Sequence, residues 1–586
     1  MIPEIDKVGV VGCGTMGAGM CEVFSRGGLS VVFCEVSKEA AEQGHQRIAR
    51  SVEYGVKSGK LTQVQGEAMR SRISSTTRLE DLEDCDLVVE AVPERIDLKK
   101  QILTTLDGLV SPEAVLATNT SSLPVIDLAV ATKRPTRVIG LHFFNPAPMM
   151  RLVELVHTVA TDMAVVEEIR EFVEGLGKEA VVTRDRPGFV VNRLLFPYLN
   201  SAVRLLDQGY AAREDIDAAM TLGCRHPLGP LALLDLIGLD SAYEICDVLW
   251  REFGEHVEPP ASLLRQYRVA GYLGRKTARG FYRYEAPGSS QILDFHKNGS
   301  RERSSGVSTV GVVGTGLMAS GITQVAAEAG NRVLLWGRSN RSLDKARASI
   351  SKSLERKAAK KKLEPSWVEQ VIGRIEPTGT LGHLAEADLV VEAVAEDLEL
   401  KKRVFRELDL SVKPSSVIAT TTSSLPIVEL AAATDYPGRI VGVHFFNPAP
   451  LMKLVEVVST VASEEEVEER AAAWVRELGK EPVRCSDRPG FIVNFLLFPY
   501  LNDAVRMVEA SYGTPAEIDN AVKLGCGHPM GPFELMDIVG LDVTQAVLES
   551  LHREFREPRY APASLLGHMV LAGLLGHKAG RGFYAH

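Results

Sequence analysis

The sequence predicts an α/β domain built on a mainly parallel sheet, followed by a smaller all-α helical domain, with the pair repeated twice in one chain. Three observations carry this. Short apolar runs alternate with helical stretches as far as about residue 185 and then stop. Helical text rich in Ala, Leu and paired charges follows to Gly271. Landmarks then recur at a fixed spacing: Gly314 lies 302 positions after Gly12 (314 − 12), His444 lies the same distance after His142 (444 − 142), and Gly582-Phe583-Tyr584 repeats Gly280-Phe281-Tyr282 at that offset. A chain of 586 residues exceeds one core. A period this long marks a duplicated protein, because solenoid units run to roughly 20–50 residues.

Taken in order, Lys7 to Val11 is an apolar run ending in Gly12 and reads as a buried strand. Val31-Val32-Phe33-Cys34, Asp86-Leu87-Val88-Val89, Ala114-Val115-Leu116-Ala117 and Val138-Ile139-Gly140-Leu141 read as further strands. Asp185-Arg186-Pro187-Gly188-Phe189 marks the break into helical text, and Pro187 suits the first turn of a helix. Ala286-Pro287-Gly288-Ser289-Ser290 and Lys297 to Gly306 are polar and turn-rich, which reads as a linker. The expected domains are 1–185 and 306–487 (α/β), 186–285 and 488–586 (helical), joined by a linker over 286–305.

Composition narrows the function. Apolar residues at 45 % and charged residues at 24 % fit an ordinary globular protein, and no apolar run approaches the roughly 20 residues of a membrane span. A net charge of −10 argues against nucleic acid or an anionic membrane as partner. Eight Cys without paired metal spacing, and a short mixed start without a signal peptide, read as reduced thiols in the cytoplasm, with no metal.

Gly12-x-Gly14-x-x-Gly17 follows a strand and opens a helix, the context in which glycines let a backbone turn tightly against a pyrophosphate. Glu35 stands at the end of the second strand, where a carboxylate accepts ribose hydroxyls and repels a 2′-phosphate, so NAD is the expected cofactor. The second copy reads Gly314-x-Gly316-x-x-Ala319, with Gly337-Arg338-Ser339 where the first has Glu35. Loss of the acid with gain of Arg338 leaves two outcomes open: acceptance of NADP, or a degenerate or idle site.

His142 follows a predicted strand at the carboxyl edge of the sheet, where open α/β sheets bind ligands. An imidazole there takes a proton from an alcohol while hydride leaves the same carbon, and a carboxylate must orient it. Glu154, in the next apolar segment, is the available acid; His444 and Glu456 repeat the pair. Asn192 falls on the opening turns of the helix joining the two domains, and Ser121 in a polar turn after a strand.

The chain resembles the L-3-hydroxyacyl-CoA dehydrogenases of the 3-hydroxybutyryl-CoA dehydrogenase type, over nearly the whole of each copy. The likeness rests on Val10-Val-Gly-x-Gly-x-Met-Gly, Asn119-Thr-Ser-Ser-Leu, His142-Phe-Phe-Asn-Pro, Asp185-x-Pro-Gly-Phe-Val-Val-Asn192-Arg and Gly274-Arg-Lys-Thr-x-x-Gly280-Phe-Tyr. It implies a Rossmann-like α/β domain and NAD-dependent interconversion of (S)-3-hydroxyacyl-CoA and 3-ketoacyl-CoA. It further implies that His142 and Glu154 form the catalytic dyad and that Ser121 and Asn192 contact the reacting region. Glu94 and Lys99 are implied to touch the cofactor, with Asn145 near the nicotinamide. The matching residues are Glu396, Lys401, Ser423, His444, Asn447, Glu456 and Asn494. The second copy departs with Thr421 for Asn119 and Glu534 for Ala232.

A coenzyme A ester needs cations for its phosphates. Arg47, Arg50, Lys57 and Lys60 share a polar stretch, matched by Lys352, Arg356, Lys357, Lys360, Lys361 and Lys362, with Lys60 and Lys362 in register. Family members dimerise through the helical domain, so the two copies are expected to pair internally as a pseudo-dimer. Two alternatives stand beside this one: a related dehydrogenase of a carrier-bound or free hydroxy acid, and a non-enzymatic dinucleotide-binding protein of the lens-crystallin kind.

Overall fold

A computed structural model of the protein describes residues 5–295 and 304–586. In the first half, eight strands form one sheet: β1 (Lys7–Val11), β2 (Ser30–Cys34), β3 (Ile73–Thr76), β4 (Leu87–Glu90), β5 (Val115–Thr118), β6 (Val138–Phe143), β7 (Leu152–His157) and β8 (Glu179–Arg184). Their order is β3-β2-β1-β4-β5-β6-β7-β8. Neighbours run parallel except β6 and β7, which pair antiparallel. The second half repeats the order with β9 (Thr309–Val313), β10 (Arg332–Trp336), β11 (Ile375–Thr378), β12 (Leu389–Glu392), β13 (Val417–Thr420), β14 (Ile440–Phe445), β15 (Leu454–Ser459) and β16 (Glu481–Ser486).

The central strands are buried on both faces, so they read as unbroken apolar runs. One face packs Val10, Phe33, Leu141 and Phe143 against helix Met163–Gly175, and the other packs Leu103, Leu116 and Leu128. β3, β7 and β8 lie beyond what the sequence pattern predicts. β3 and β8 are half-exposed and mix Ser, Thr, Glu and Arg into the run, while β7 returns antiparallel, outside the βαβ alternation.

The helix expected at Pro187 starts later, at Val191. Pro187 lies in a turn, and the positive φ of Gly188 (79°) and Phe189 (47°) interrupts the helical path before Val191. Helix Val191–Asp207 is buried on nearly every side, which suits an element walled by two domains. It lies against its counterpart, Val493–Glu509, with the Tyr198 and Tyr500 rings 6.1 Å apart. Nearby, His226 and His528 stack at 3.8 Å.

Each helical domain also covers the outer strands of the other half's sheet. Helix Pro515–Cys526 packs on β7 and β8, and helix Arg213–Gly223 on β15 and β16. A Cβ on Gly223 would stand 2.9 Å from Leu454, and one on Gly525 would stand 3.0 Å from Leu152, so glycine permits these approaches. Thr183 donates to the Tyr512 carbonyl at 3.2 Å, and the Ser486 N–H donates to that of Tyr210 at 3.3 Å.

Of the stretch expected as linker, 296–303 lies outside the described residues. Asp294 accepts from Arg213 (3.1 Å) and from the Arg283 N–H (2.8 Å), and Ser305 N–H donates to Glu477 at 2.8 Å, so both ends are fastened. No helix among the described residues is long and apolar enough to cross a membrane.

Candidate active site

The glycine loop joins β1 to helix Thr15–Arg26 at the point where the strand order reverses between β1 and β4. Gly12 adopts φ 91°, and a Cβ on Gly17 would stand 1.9 Å from the Gly12 carbonyl oxygen. A Cβ on Gly14 would meet nothing, and Gly14 offers no side chain to cap the helix. The loop is therefore open above free N–H groups, which fits a dinucleotide pyrophosphate. In the second half Ala319 replaces Gly17, and Gly314 turns to φ 129°, leaving 3.5 Å between its Cβ position and the Ala319 methyl.

Glu35 follows β2. Its Oε1 accepts the Cys13 N–H at 2.6 Å and its Oε2 the Val36 N–H at 3.3 Å. In the second half a Cβ on Gly337 would stand 2.7 Å from Thr315 and 2.9 Å from Leu343. Those residues replace Cys13 and Ala41 and fill the space that Glu35 uses. Arg338 is exposed and has no protein partner among the described residues.

The dyad is a direct cross-strand pair. His142 on β6 sits opposite Glu154 on β7, and the same holds for His444 and Glu456. In each half His Nδ1 lies 2.7 Å from a Glu Oε2. Glu154 is wholly buried, and its Oε1 accepts the N–H groups of Val190 (3.0 Å) and Val191 (2.9 Å) at the start of the interdomain helix. With Glu154 accepting on both oxygens, Nδ1 carries the proton and Nε2 is left with a free lone pair. Phe144 and Phe189 flank the ring at 4.6 and 5.5 Å. His142 is 6 % exposed, so little more than one edge meets solvent. The other half supplies the backing: the Cys526 thiol is pushed up to about 12 by burial and by the Glu154 charge.

Ser121 and Asn192 come together beside the dyad. Asn192 Nδ2 donates to the Ser121 carbonyl at 3.2 Å, while the Ser121 hydroxyl has no partner among the described residues. Asn494 makes no equivalent bond to Ser423 and is more exposed. Asn145 is exposed at the end of β6, three residues past His142, as is Asn447 past His444.

Glu94 accepts from the N–H groups of Ser121 (3.1 Å) and Ser122 (3.3 Å) and from the Thr120 hydroxyl. Burial acts to raise this carboxyl, but the Lys99 ammonium and the Thr120 and Ser121 hydrogen bonds outweigh it, and the net shift is downward. Lys99 is enclosed: its Nζ donates to both oxygens of Glu90 (2.8 and 2.9 Å) and lies 3.2 Å from Glu94. Its ammonium therefore faces the carboxylates of Glu90 and Glu94. Lys401, Glu392 and Glu396 repeat this arrangement.

Glu90 and Glu392 are the residues the sequence pattern does not single out. The signal was an acid closing an apolar strand in both copies. Lys178 is another; it braces the loop after His142 by donating to the Ala147 and Met150 carbonyls at 2.7 and 2.8 Å.

The basic stretch divides. Arg47 turns inward onto the Cys13 carbonyl at 3.1 Å, and Lys357 pairs with Glu328. Lys60 reaches the Met149 sulfur at 3.2 Å, at the loop following His142, and Lys362 is exposed at a helix end with φ 54°. Glu534 pairs with Lys523 at 2.7 Å and caps its own helix, so its difference from Ala232 is local to one helical domain.

Comparison with known proteins agrees with this geometry. The family model described as 3-hydroxyacyl-CoA dehydrogenase, NAD binding domain, matches residues 7–186 and 309–488, and the C-terminal domain of that family matches 188–284 and 490–586. The 3-hydroxybutyryl-CoA dehydrogenase of Mycobacterium tuberculosis is 48 % identical over 287 residues, which are 48 % of this chain and 100 % of that protein. The mitochondrial hydroxyacyl-coenzyme A dehydrogenase of Sus scrofa is 43 % identical over 288 residues, 48 % of this chain and 91 % of that protein. The crystal structure of 3-hydroxybutyryl-CoA dehydrogenase from Escherichia coli K12 matches with a TM-score of 0.69 at 26 % identity, over 97 % of this chain and 99 % of that one.

Proposed function

Both halves of this chain belong to the 3-hydroxyacyl-CoA dehydrogenase family, and from that premise we propose that each half interconverts an (S)-3-hydroxyacyl-CoA and its 3-ketoacyl-CoA, on short acyl chains of the 3-hydroxybutyryl kind. The observation that carries this is the buried His–Glu cross-strand pair, repeated unchanged, beside a glycine loop. NAD, when bound, supplies the hydride acceptor. Gly12, Gly14, Gly17 and Glu35 would hold it in the first half, and Glu94 and Asn145 would contact it.

In the oxidative direction, the substrate hydroxyl donates to His142 Nε2, and its proton passes there as hydride leaves C3. Glu154, fixed by the Val190 and Val191 N–H groups, stabilises the imidazolium across 2.7 Å and prevents the ring from turning. The unpartnered Ser121 hydroxyl and the Asn192 amide contact the substrate oxygen, and Phe144 and Phe189 keep water from the ring. Lys60 and Lys362 would pair with the CoA phosphates.

The chain works as an intramolecular pseudo-dimer. Each helical domain covers the strand that carries the other half's dyad glutamate, β7 or β15, which supports a single chain as the complete unit. Eight unpaired cysteines support a reducing, cytoplasmic setting. Acetoacetyl-CoA reduction by NADH, with light scattering on the same sample, tests both claims. Turnover by a particle of one chain's mass is expected; absence of turnover refutes the activity, and a mass of two or more chains with no internal contact between the two helical domains refutes the pseudo-dimer.

A further inference from the structure

The two halves share their proton-transfer groups and differ where the adenosine ribose meets the protein. Three coordinated changes separate them. Glu35 becomes Gly337, while Cys13 and Ala41, which leave room for the Glu35 side chain, become Thr315 and Leu343, which fill it. The Cys13 N–H is held by Glu35 at 2.6 Å, whereas the Thr315 N–H has no protein acceptor among the described residues. The turn that follows also changes sign. Glu35-Val36-Ser37-Lys38-Glu39 carries net −1, and Gly337-Arg338-Ser339-Asn340-Arg341 carries net +2.

This pattern differs from decay. Random loss of an acid leaves a hole, but here the hole is packed and two arginines are gained. Arg338 replaces Val36, and Arg338 and Arg341 are both exposed with no carboxylate partner among the described residues. They flank Ser339, whose side chain caps helix Asn340–Lys361 and whose turn opens onto its N-terminus. A phosphate on the ribose 2′-oxygen adds roughly −1.5 to −2 charge. Glu35 repels that charge, while an unpaired guanidinium beside a helix N-terminus binds it.

Resting on the dehydrogenase reading above, we infer that the second half takes the 2′-phosphorylated dinucleotide at Arg338 and Ser339, so that one chain exchanges hydride between the NADP and NAD pools through its acyl-CoA substrate. In the second half a 3-ketoacyl-CoA takes hydride at C3 from NADPH and a proton from His444, giving the 3-hydroxyacyl-CoA. In the first half that product returns the hydride to NAD⁺ and the hydroxyl proton to His142. The sum is NADPH + NAD⁺ → NADP⁺ + NADH. The acyl-CoA is regenerated and no proton is consumed overall. Because both halves share one fold and one dyad geometry, the alcohol made in one has the configuration the other oxidises.

Two measurements on the intact chain test this. In calorimetric titration, one NADP⁺ binds per chain, and Arg338→Val weakens it by about tenfold to a hundredfold, the range for losing a charge-assisted hydrogen bond. Arg338→Lys, which keeps the charge without the fork, falls between. NADP⁺ that fails to saturate, or that binds Arg338→Val as tightly, overturns the assignment. In the second measurement, chromatography follows NADH formed from NADPH and NAD⁺ with catalytic acetoacetyl-CoA. NADH appears only when the acyl-CoA is present, and both His142→Ala and His444→Ala abolish it. No NADH despite NADP⁺ binding overturns the exchange. Absence of NADH-driven acetoacetyl-CoA reduction would instead sink the dehydrogenase reading; its presence without NADP⁺ binding sinks this inference alone.

Discussion

Replacing Glu154 by Gln isolates what the buried carboxylate does. The side chain keeps its shape, and its amide oxygen can still accept the Val190 and Val191 N–H groups, now at 3.0 and 2.9 Å. That leaves the amide NH₂ facing His142 Nδ1, at the place where Oε2 now accepts across 2.7 Å. Two donors cannot share that contact, so the ring moves its proton to Nε2 and presents N–H to the substrate. The group that must accept the hydroxyl proton is then the wrong tautomer, and the imidazolium loses its counter-charge. The same substitution in a Ser-His-Asp triad lowers turnover about ten-thousand-fold, or about 5.5 kcal/mol of barrier. The variant is made on a His444→Ala background so that only the first half is read, with 3-hydroxybutyryl-CoA and NAD⁺ in the oxidative direction. Folding is checked by the melting temperature. Glu154→Gln that retains roughly a tenth or more of the turnover refutes the claim that Glu154 sets the tautomer.

Three further outcomes follow from the packing. Lys99→Met leaves Glu90 buried without its cation and lowers stability by about 3–5 kcal/mol, read as a fall in melting temperature; Glu90→Gln on top of it restores part of the loss. Gly223→Val forces a side chain against Leu454 and Val493 of the other half and lowers stability by about 1–3 kcal/mol, whereas Gly175→Ala, whose Cβ meets nothing, stays within about 0.5 kcal/mol. Burial holds His226 down to about 4 and, with His226 beside it, holds His528 well below its ordinary value. The folded protein therefore binds fewer protons than the unfolded chain between pH 6.5 and 4, so stability is full above that window and is lost as pH falls through it, by about 3 kcal/mol for His226. His226→Phe/His528→Phe flattens this acid limb in calorimetry; an unchanged limb contradicts the assignment.

The chemistry was legible because duplication filtered the sequence. Leu141, Met149 and Leu155 become Val443, Leu451 and Val457 while His142 and Glu154 stay; Phe143, Phe144 and Asn145 stay as well, so the repeat narrows the field and the proton chemistry of imidazole and carboxylate picks out the pair. Their relation as a cross-strand pair was not legible, because β7 returns antiparallel after a run of strands that had all been parallel. Glu90 is not legible as a site residue, because an acid at the end of an apolar strand looks like a strand terminus; only the fold brings Lys99 to it from the following helix. The helix expected at Pro187 starts at Val191 because Phe189 adopts a positive φ that no residue preference announces. The reciprocal cover of one half's sheet by the other's helices leaves no periodic trace at all. Gly223 and Gly525 mark it, yet without the partner surface they read as ordinary helix ends. The sequence exposed the change at Gly337, and the packing of Thr315 and Leu343 gave it meaning.

The central claim is that this chain carries two working proton-transfer sites, each centred on its own histidine. Acetoacetyl-CoA reduction by the double variant His142→Ala/His444→Ala, beside the two single variants and with NADH and NADPH each in turn, measures it most directly. Each single variant should keep turnover with one of the two cofactors, and the double variant should lose it with both, by about a thousandfold or more. A single variant that abolishes turnover with both cofactors, or a double variant that retains it, would contradict the account.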